Sequence, residues 1–467
     1  MPPREGMSYP INLPFPLTAI DGLQALDQQS LTAQAWAQAC LTHIQDQDAQ
    51  VQAWAYCNPQ QVLEQAIARD QASPRSAPLW GVPVGIKDII ATADMPTQWG
   101  SPLYAGQRLG FNATVVERLQ AAGAVLVGKT VTTEYASGAS AQTRNPHNLN
   151  HTPGASSSGS AAAVAAGMVP LAIGTQTMGS VVRPAAYCGV FGYKPSFGLI
   201  SRFGILPVSR ELDHVGLFAR SITDLALLGY VLSGADYHDA DTWIGKYPDA
   251  ADWNLSSLAR PPKLALVYSP FWNLVESEGQ AHLLQVVDIL KAAGATITEV
   301  DLPPDFSNYF THVETLAYAG LAINHGSDYE QFSDRLSPKL CNLIEQGRST
   351  SSLAYATARH ASHAYNQAIA PIFRQYDGIL TPATTGIAPK GLDYTGNPVF
   401  CALWTLTGFP SIAIPSGFGS NGLPLAVQLV GDRGKDPDLL SLALWIEGFL
   451  GAPSLPSGMF ISPQATG

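Results

Sequence analysis

Apolar and polar residues follow two different periods along the 467-residue chain. Residues of about 20–75 read as helical, with apolar positions three and four apart. Asn58-Pro59-Gln60-Gln61 supplies an N-cap side chain, a proline for the first helical position and a capping-box glutamine. Val62, Leu63, Ala66 and Ile67 follow as the apolar face of that helix. After Pro83 the pattern changes. Val84–Ile90 reads as a short buried strand, Thr114–Ala122 as a helix and Ala124–Val127 as the next strand. Further strands are expected at Leu264–Tyr268, Ile297–Val300, Gly378–Thr381, Ser411–Ile414 and Leu425–Val430. Helices are expected from Ser221, with Asp224 three residues on, and over about 279–293, 351–375 and 436–449. The run Ala161–Gly174 is built of Ala and Gly with Pro170 inside. It reads as a close-packed buried helix and strand, too short for a membrane span. Strands alternating with helices predict an α/β protein with a mixed, mostly parallel sheet covered by helices on both faces.

Composition sharpens this picture. Charged residues make up only 13%, about half the roughly 25% usual for soluble domains. With 46% apolar residues, 42 Gly and 35 Pro, the chain reads as a dense globular core and not as disorder. A net charge of −11 gives no electrostatic footprint for nucleic acid or an anionic membrane, so neither is expected as a partner. The cysteines Cys40, Cys57, Cys188, Cys341 and Cys401 are scattered and form no CxxC pair. Neither a zinc site nor a disulfide framework is expected from them. Prolines interrupt the apolar stretch of the first twenty residues, and no small-residue cleavage site follows. The chain is therefore read as lacking a signal peptide and as cytoplasmic. Length suggests about three domains. No linker tract or internal repeat marks a break, and the chain is read as one domain.

Common catalytic motifs are absent: there is no HExxH, GxSxG elbow or P-loop. Gly128-Lys129-Thr130 resembles a P-loop end, but Ala-Val-Leu-Val before it is strand-like, so it reads as a strand end and turn. The region 143–200 is different. Gly and Ser cluster at 154–160 ahead of a small-residue helix, and again at 174–180 after a short strand. Consecutive backbone N–H groups in such loops can converge on an anion. That would suit an oxyanion hole with a nucleophilic serine at its end. Ser/Gly loops are also ordinary turns, so residue types alone leave the choice open.

Linked motifs decide more. Gly81-Val82-Pro83-Val84-Gly85-Ile86-Lys87-Asp88 is followed by Pro153-Gly154-Ala155-Ser156-Ser157-Ser158-Gly159-Ser160. Next come Gly174-Thr175-Gln176-Thr177-Met178-Gly179-Ser180 and a tail from Arg183 to Pro195. Lys87 and Ser156 are 69 residues apart, and Ser156 and Ser180 are 24 apart. Ser209–Gly216, Thr381-Pro382, Gly408-Phe409-Pro410 and Gly422-Leu423-Pro424 continue the pattern. From about residue 20 to 450 the chain resembles the amidase signature family, the Ser-cisSer-Lys amide hydrolases. The resemblance implies the amidase signature fold as a single domain over 1–467. Within it lie a helical region at about 20–75, a signature core at about 80–220 and a variable substrate-pocket region at about 300–400. It implies Ser180 as nucleophile, Ser156 as bridging serine after a non-proline cis peptide, and Lys87 as base. The backbone N–H groups of Thr177, Met178, Gly179 and Ser180 would form the oxyanion hole, and Ser157 and Gln176 would lie beside the substrate. No cofactor or metal is implied. A free lysine, with a pKa of about 10.4, cannot accept a proton at neutral pH. Lys87 must therefore be desolvated. Its neighbours Ile86, Ile89 and Ile90 fit that demand, and strand alternation turns Asp88 to the other face.

Some residues depart from the family pattern. Gln176 stands where many members carry Asp, and Met178 where they carry Gly. Gln176 can still hold a loop by hydrogen bonds. A Met178 turned inward would narrow the site and favour a small or apolar acyl group. Ala155 and Ser158 replace glycines. Arg183 is expected to anchor the nucleophile loop. A Ser-His-Asp triad through Asp213-His214 is disfavoured without an elbow motif, and Cys188 reads as a packed thiol. The pocket is expected from 91–110, 135–145, 305–375 and 395–405. There Trp99, Tyr104, Tyr309, Phe310, Tyr318, Tyr355, Phe400 and Trp404 lean toward aryl or acyl amides. The expected reaction is hydrolysis of a small-molecule amide to acid plus ammonia or amine, in a chain for which a homodimer is left open. The alternative is the glutamine-hydrolysing subunit of a tRNA-dependent amidotransferase, which needs a partner. A non-catalytic binding protein is a third reading, disfavoured by Lys87, Ser156 and Ser180 occurring together.

Overall fold

One sheet runs through the computed structural model, which describes residues 15–72, 76–242, 247–256, 258–451 and 455–456. The signal-peptide reading falls mostly on residues 1–14, outside the described residues. In chain order the strands are β1 Trp54–Cys57, β2 Pro83–Lys87, β3 Val125–Thr130, β4 Leu171–Gln176, β5 Phe191–Lys194 and β6 His214–Ala219. They continue as β7 Lys263–Leu266, β8 Thr296–Glu299, β9 Gly378–Pro382, β10 Ser411–Phe418 and β11 Pro424–Val430. Their order across the sheet is β1-β3-β2-β4-β6-β5-β10-β11-β9-β7-β8. The first seven helices are α1 Ala19–Asp27, α2 Ala33–Val51, α3 Pro59–Gln71, α4 Thr114–Ala121, α5 Ser158–Ala165, α6 Val182–Cys188 and α7 Ile222–Leu232. The rest are α8 Ser277–Ala292, α9 Tyr309–Phe332, α10 Pro338–Arg348, α11 Ser352–Ile369, α12 Val399–Leu406 and α13 Asp436–Leu450.

The sheet is mixed and flanked by helices, as expected. Its parallel ladders join β2 to β3 and β4, and β7 to β8 and β9. The other six ladders are antiparallel. The parallel share is thus smaller than the sequence pattern predicts. No helix separates β5 from β6 or β10 from β11, and a parallel pair needs a long crossover. These neighbours fold back on each other instead.

Local signals explain the elements that the pattern locates. Asn58 caps α3, its side chain accepting from the Gln60 and Gln61 N–H groups. The expected capping box does not close, because the Gln61 side chain donates to Asp94 instead. Ser221 caps α7 by accepting from the Asp224 N–H at 3.1 Å. The Asp224 carboxylate in turn accepts from the Ala19 and Ile20 N–H groups at 2.9 and 3.0 Å, capping α1 across the chain. The small residues of α5 are all buried, and α6 packs so closely that a Cβ on Gly192 in β5 would lie 2.3 Å from the Ala185 Cβ. This close approach is the dense core that few charges and many glycines imply. β1 lies in the region read as helical, as an edge strand on β3.

No helix among the described residues is long and apolar enough to cross a membrane. All five cysteines are free.

Candidate active site

β2 and β4 run parallel as neighbours, so their carboxyl ends meet at one edge of the sheet. Lys87 closes β2 and Thr175 lies near the end of β4. The carboxyl edge of parallel strands is where side chains can converge without disturbing the ladder. Lys87 is fully buried there. Its Nζ lies 2.8 Å from the Ser156 Oγ and 2.8 Å from the Thr175 Oγ1. Burial holds the Lys87 amine well below its ordinary 10.5, and the nearby Asp213 opposes this only in part.

Ser156 reaches Lys87 because its loop is pinned on two sides. The Ser157 Oγ donates to the Thr175 carbonyl at 3.0 Å and accepts from the Thr175 N–H at 3.2 Å. Gly174 permits this approach, since a Cβ there would lie 2.6 Å from the Ser157 Oγ. On the other side an Arg183 Nη donates to the Ala155 carbonyl at 2.8 Å. The second Nη holds the Gly396 carbonyl. The Ala155-Ser156 peptide is cis, and Gly154 before it has φ +86°. Arg183 thus anchors the loop that carries Ser156, one loop away from the expected one.

Ser156 and Ser180 line the same cavity, of about 230 Å³. Met178 lines it too, as do Thr177 and Arg183. The backbone N–H groups of Met178, Gly179 and Ser180 find no backbone or side-chain acceptor among the described residues. Those of Val181 and Val182 are taken by the Gln176 Oε1 at 2.8 and 3.0 Å. Gln176 also donates to the Thr405 Oγ1 at 2.9 Å and is fully buried. Gln176 and Ser157 therefore stand behind the cavity wall and spend their polar atoms on the loops; neither lines the cavity. Among the eight aromatic residues singled out, Phe310 and Tyr318 line it. Tyr309, Phe400 and Trp404 are core, and Trp99 packs on Tyr104 with ring centroids 4.3 Å apart.

A model of the family described as Amidase matches residues 35–440. The chain belongs to the amidase signature family. Its relatives include a glutamyl-tRNA(Gln) amidotransferase subunit of Chloroflexus aggregans, 34% identical over 462 residues, 91% of this chain and 94% of the relative. Among solved structures, the peptide amidase of Stenotrophomonas maltophilia is similar with a TM-score of 0.82 and 30% identity, over 95% of this chain and 99% of that one. The corresponding glutamyl-tRNA(Gln) amidotransferase subunit of Thermotoga maritima gives 0.77 and 30%, over 95% and 98%. This amidase is accordingly a hydrolase acting on amide C–N bonds.

Two side chains of this amidase have no distinct signal in the sequence. Thr175 sits inside the Gly174–Ser180 motif with no role of its own there, yet it is the second partner of Lys87. Asp213 draws notice in the sequence only beside His214. Its carboxylate accepts from the Thr177 Oγ1 at 2.6 Å and from the Val208 and Ser209 N–H groups at 2.7 and 2.9 Å. Burial raises the Asp213 carboxyl above its usual range. Its place in the segment Ser209–Gly216, which follows the family pattern, is the signal that could have found it. His214 donates from Nδ1 to the Leu212 carbonyl at 2.6 Å, so its ring is held in the strand and not against a serine. Burial pushes the Cys188 thiol up, which fits a packed thiol. Lys129, in the sequence that resembles a P-loop end, is a buried strand residue paired with Asp88 at 3.2 Å.

Proposed function

We propose that this amidase hydrolyses the carboxylic amide of a small molecule to an acid and ammonia or an amine, by way of an acyl-enzyme on Ser180. Lys87 carries the reading: a fully buried amine at hydrogen-bond distance from Ser156, which itself lines one cavity with Ser180. Held neutral by burial, Lys87 can accept a proton. The Ser180 hydroxyl attacks the amide carbon. Its proton passes to Ser156 as the Ser156 proton passes to Lys87. The carbonyl oxygen, now an anion, is met by the N–H groups of Thr177, Met178, Gly179 and Ser180. Collapse breaks the C–N bond, and the leaving nitrogen takes a proton back from Lys87 through Ser156. A water then gives a proton to the same relay and attacks the acyl carbon. Acid leaves and the Ser180 hydroxyl is restored.

The cavity volume of about 230 Å³ lies below the roughly 300–1,000 Å³ of sites for drug-sized ligands. Met178 in its lining supports a small acyl group. A second reading has specific support. The relative from Chloroflexus aggregans is part of an amidotransferase, which would make glutamine the substrate and another protein the acceptor of ammonia.

Ammonia release by the purified chain, from a panel of simple carboxylic amides with glutamine alongside, separates the two readings. The expected result is hydrolysis of simple amides by the chain alone, faster than that of glutamine. Cleavage of glutamine alone, rising with a partner protein, would favour the second reading. A folded chain that cleaves no amide alone would contradict the first reading, and one that cleaves none with a partner protein either would contradict both.

A further inference from the structure

Lys339 stands in the first turn of α10 and lines the cavity that holds Ser156 and Ser180. Its side chain is exposed to solvent at the cavity wall. Its ammonium has no hydrogen-bond or ion-pair partner among the described residues. A cation in a first helical turn also opposes the helix dipole. Two carboxylates line the same cavity, Glu314 and Asp393. Glu314 accepts from the Tyr318 hydroxyl at 3.0 Å, and neither lies within ion-pair distance of Lys339. Burial lowers the Lys339 pKa, and the Arg183 guanidinium, a like charge, lowers it further. Arg183 donates both Nη groups to carbonyls, which accept its hydrogens without neutralising its charge. Lys339 and Arg183 thus put positive charge on one part of the cavity wall, where no ion pair among the described residues holds it.

We infer that Lys339 is a specificity-determining residue that binds a carboxylate on the substrate, so that the preferred substrates are amides carrying a carboxylate group. This rests on the proposed function for the identity of the cavity as the substrate site. An anion seated against Lys339 would supply the partner that the protein withholds. A charge-assisted hydrogen bond of this kind is the contact that separates a carboxylate from a neutral group of similar size.

Binding is measured on the Ser180→Ala chain, which removes turnover from the reading. The probes are the ω-carboxy amides succinamate, glutaramate and adipamate, the neutral n-alkyl amides of matching length, and ω-ammonio amides. We expect the best carboxylated amide to bind about tenfold or more tightly than its neutral counterpart. Lys339→Gln in the same background removes that difference, and Lys339→Glu turns the preference toward the ammonio amides. Equal binding of carboxylated and neutral amides, or a preference that survives Lys339→Gln, would overturn the inference. Hydrolysis by the unmutated chain is scored separately. Failure to cleave any amide counts against the proposed function, whereas loss of charge discrimination counts against the role of Lys339.

Discussion

Among the described residues three lysines are fully buried: Lys87, Lys129 and Lys194. Their partners separate them. Lys129 meets the Asp88 carboxylate at 3.2 Å, donates to the Ile90 and Pro96 carbonyls and meets the Thr97 Oγ1 at 2.7 Å. Lys194 donates to the Pro195 and Phe409 carbonyls at 3.0 and 2.7 Å. Carboxylates and carbonyls can only accept, so they favour an ammonium. Of the three, Lys87 meets hydroxyls only, and these donate as readily as they accept, which suits a neutral amine. Lys87→Met is expected to lower kcat by about 10²–10⁴-fold, the range for loss of a general base. It should also remove a stability slope. The folded pKa of Lys87 lies below its ordinary 10.5. Between those two values the unfolded chain binds more protons, so stability rises with pH. The unmutated chain should therefore gain on Lys87→Met as pH climbs toward 10.5 in urea titrations; a constant difference would show that Lys87 is charged when folded. At this scale Lys87 and Ser156 are legible because their spacing belongs to linked motifs. Thr175 and Asp213 are not, since they act through contacts made only when β4 and the 208–213 loop converge.

α9 and α10 build the side of the cavity opposite the serine loops, with Tyr318 and Leu321 from the first and Lys339 and Leu343 from the second. They are held together at Gly347, where a Cβ would lie 1.9 Å from the Tyr318 carbonyl oxygen. Gly347→Ala should force the helices apart, lowering stability by about 1–3 kcal/mol. Because the displaced wall lines the cavity and lies outside the proposed proton relay, KM should rise more than kcat falls. Steady-state kinetics with urea unfolding checks both; an unchanged KM would show that the helix pair does not shape the site. The strands β7 to β11 and the helices α7, α8 and α13 are visible in the sequence as apolar runs with start signals. α9 is not. Its partners α10, α11 and α12 bury several of its sides, which leaves no single apolar stripe in the sequence. β5 and β6 are hidden for a related reason: every residue of both is buried, so neither shows alternation.

Across the whole molecule, residues far apart in sequence meet because one sheet carries them all. β3, β2 and β4 are neighbours: Lys87 closes β2, Ser156 comes from the segment after β3 and Ser180 from the loop after β4, all at one edge. The low charge and high glycine content seen in the sequence are a consequence of that arrangement: helices lie close on the sheet, and the site is lined partly by backbone. Every group in the proposed relay comes from one chain, so the chain alone should carry a reactive serine. A fluorophosphonate probe with mass-spectrometric mapping measures this directly. The expected outcome is one adduct, on Ser180, lost in Lys87→Ala while the fold persists. An adduct elsewhere, labelling that survives Lys87→Ala, or no labelling of the folded chain would contradict the proposed relay.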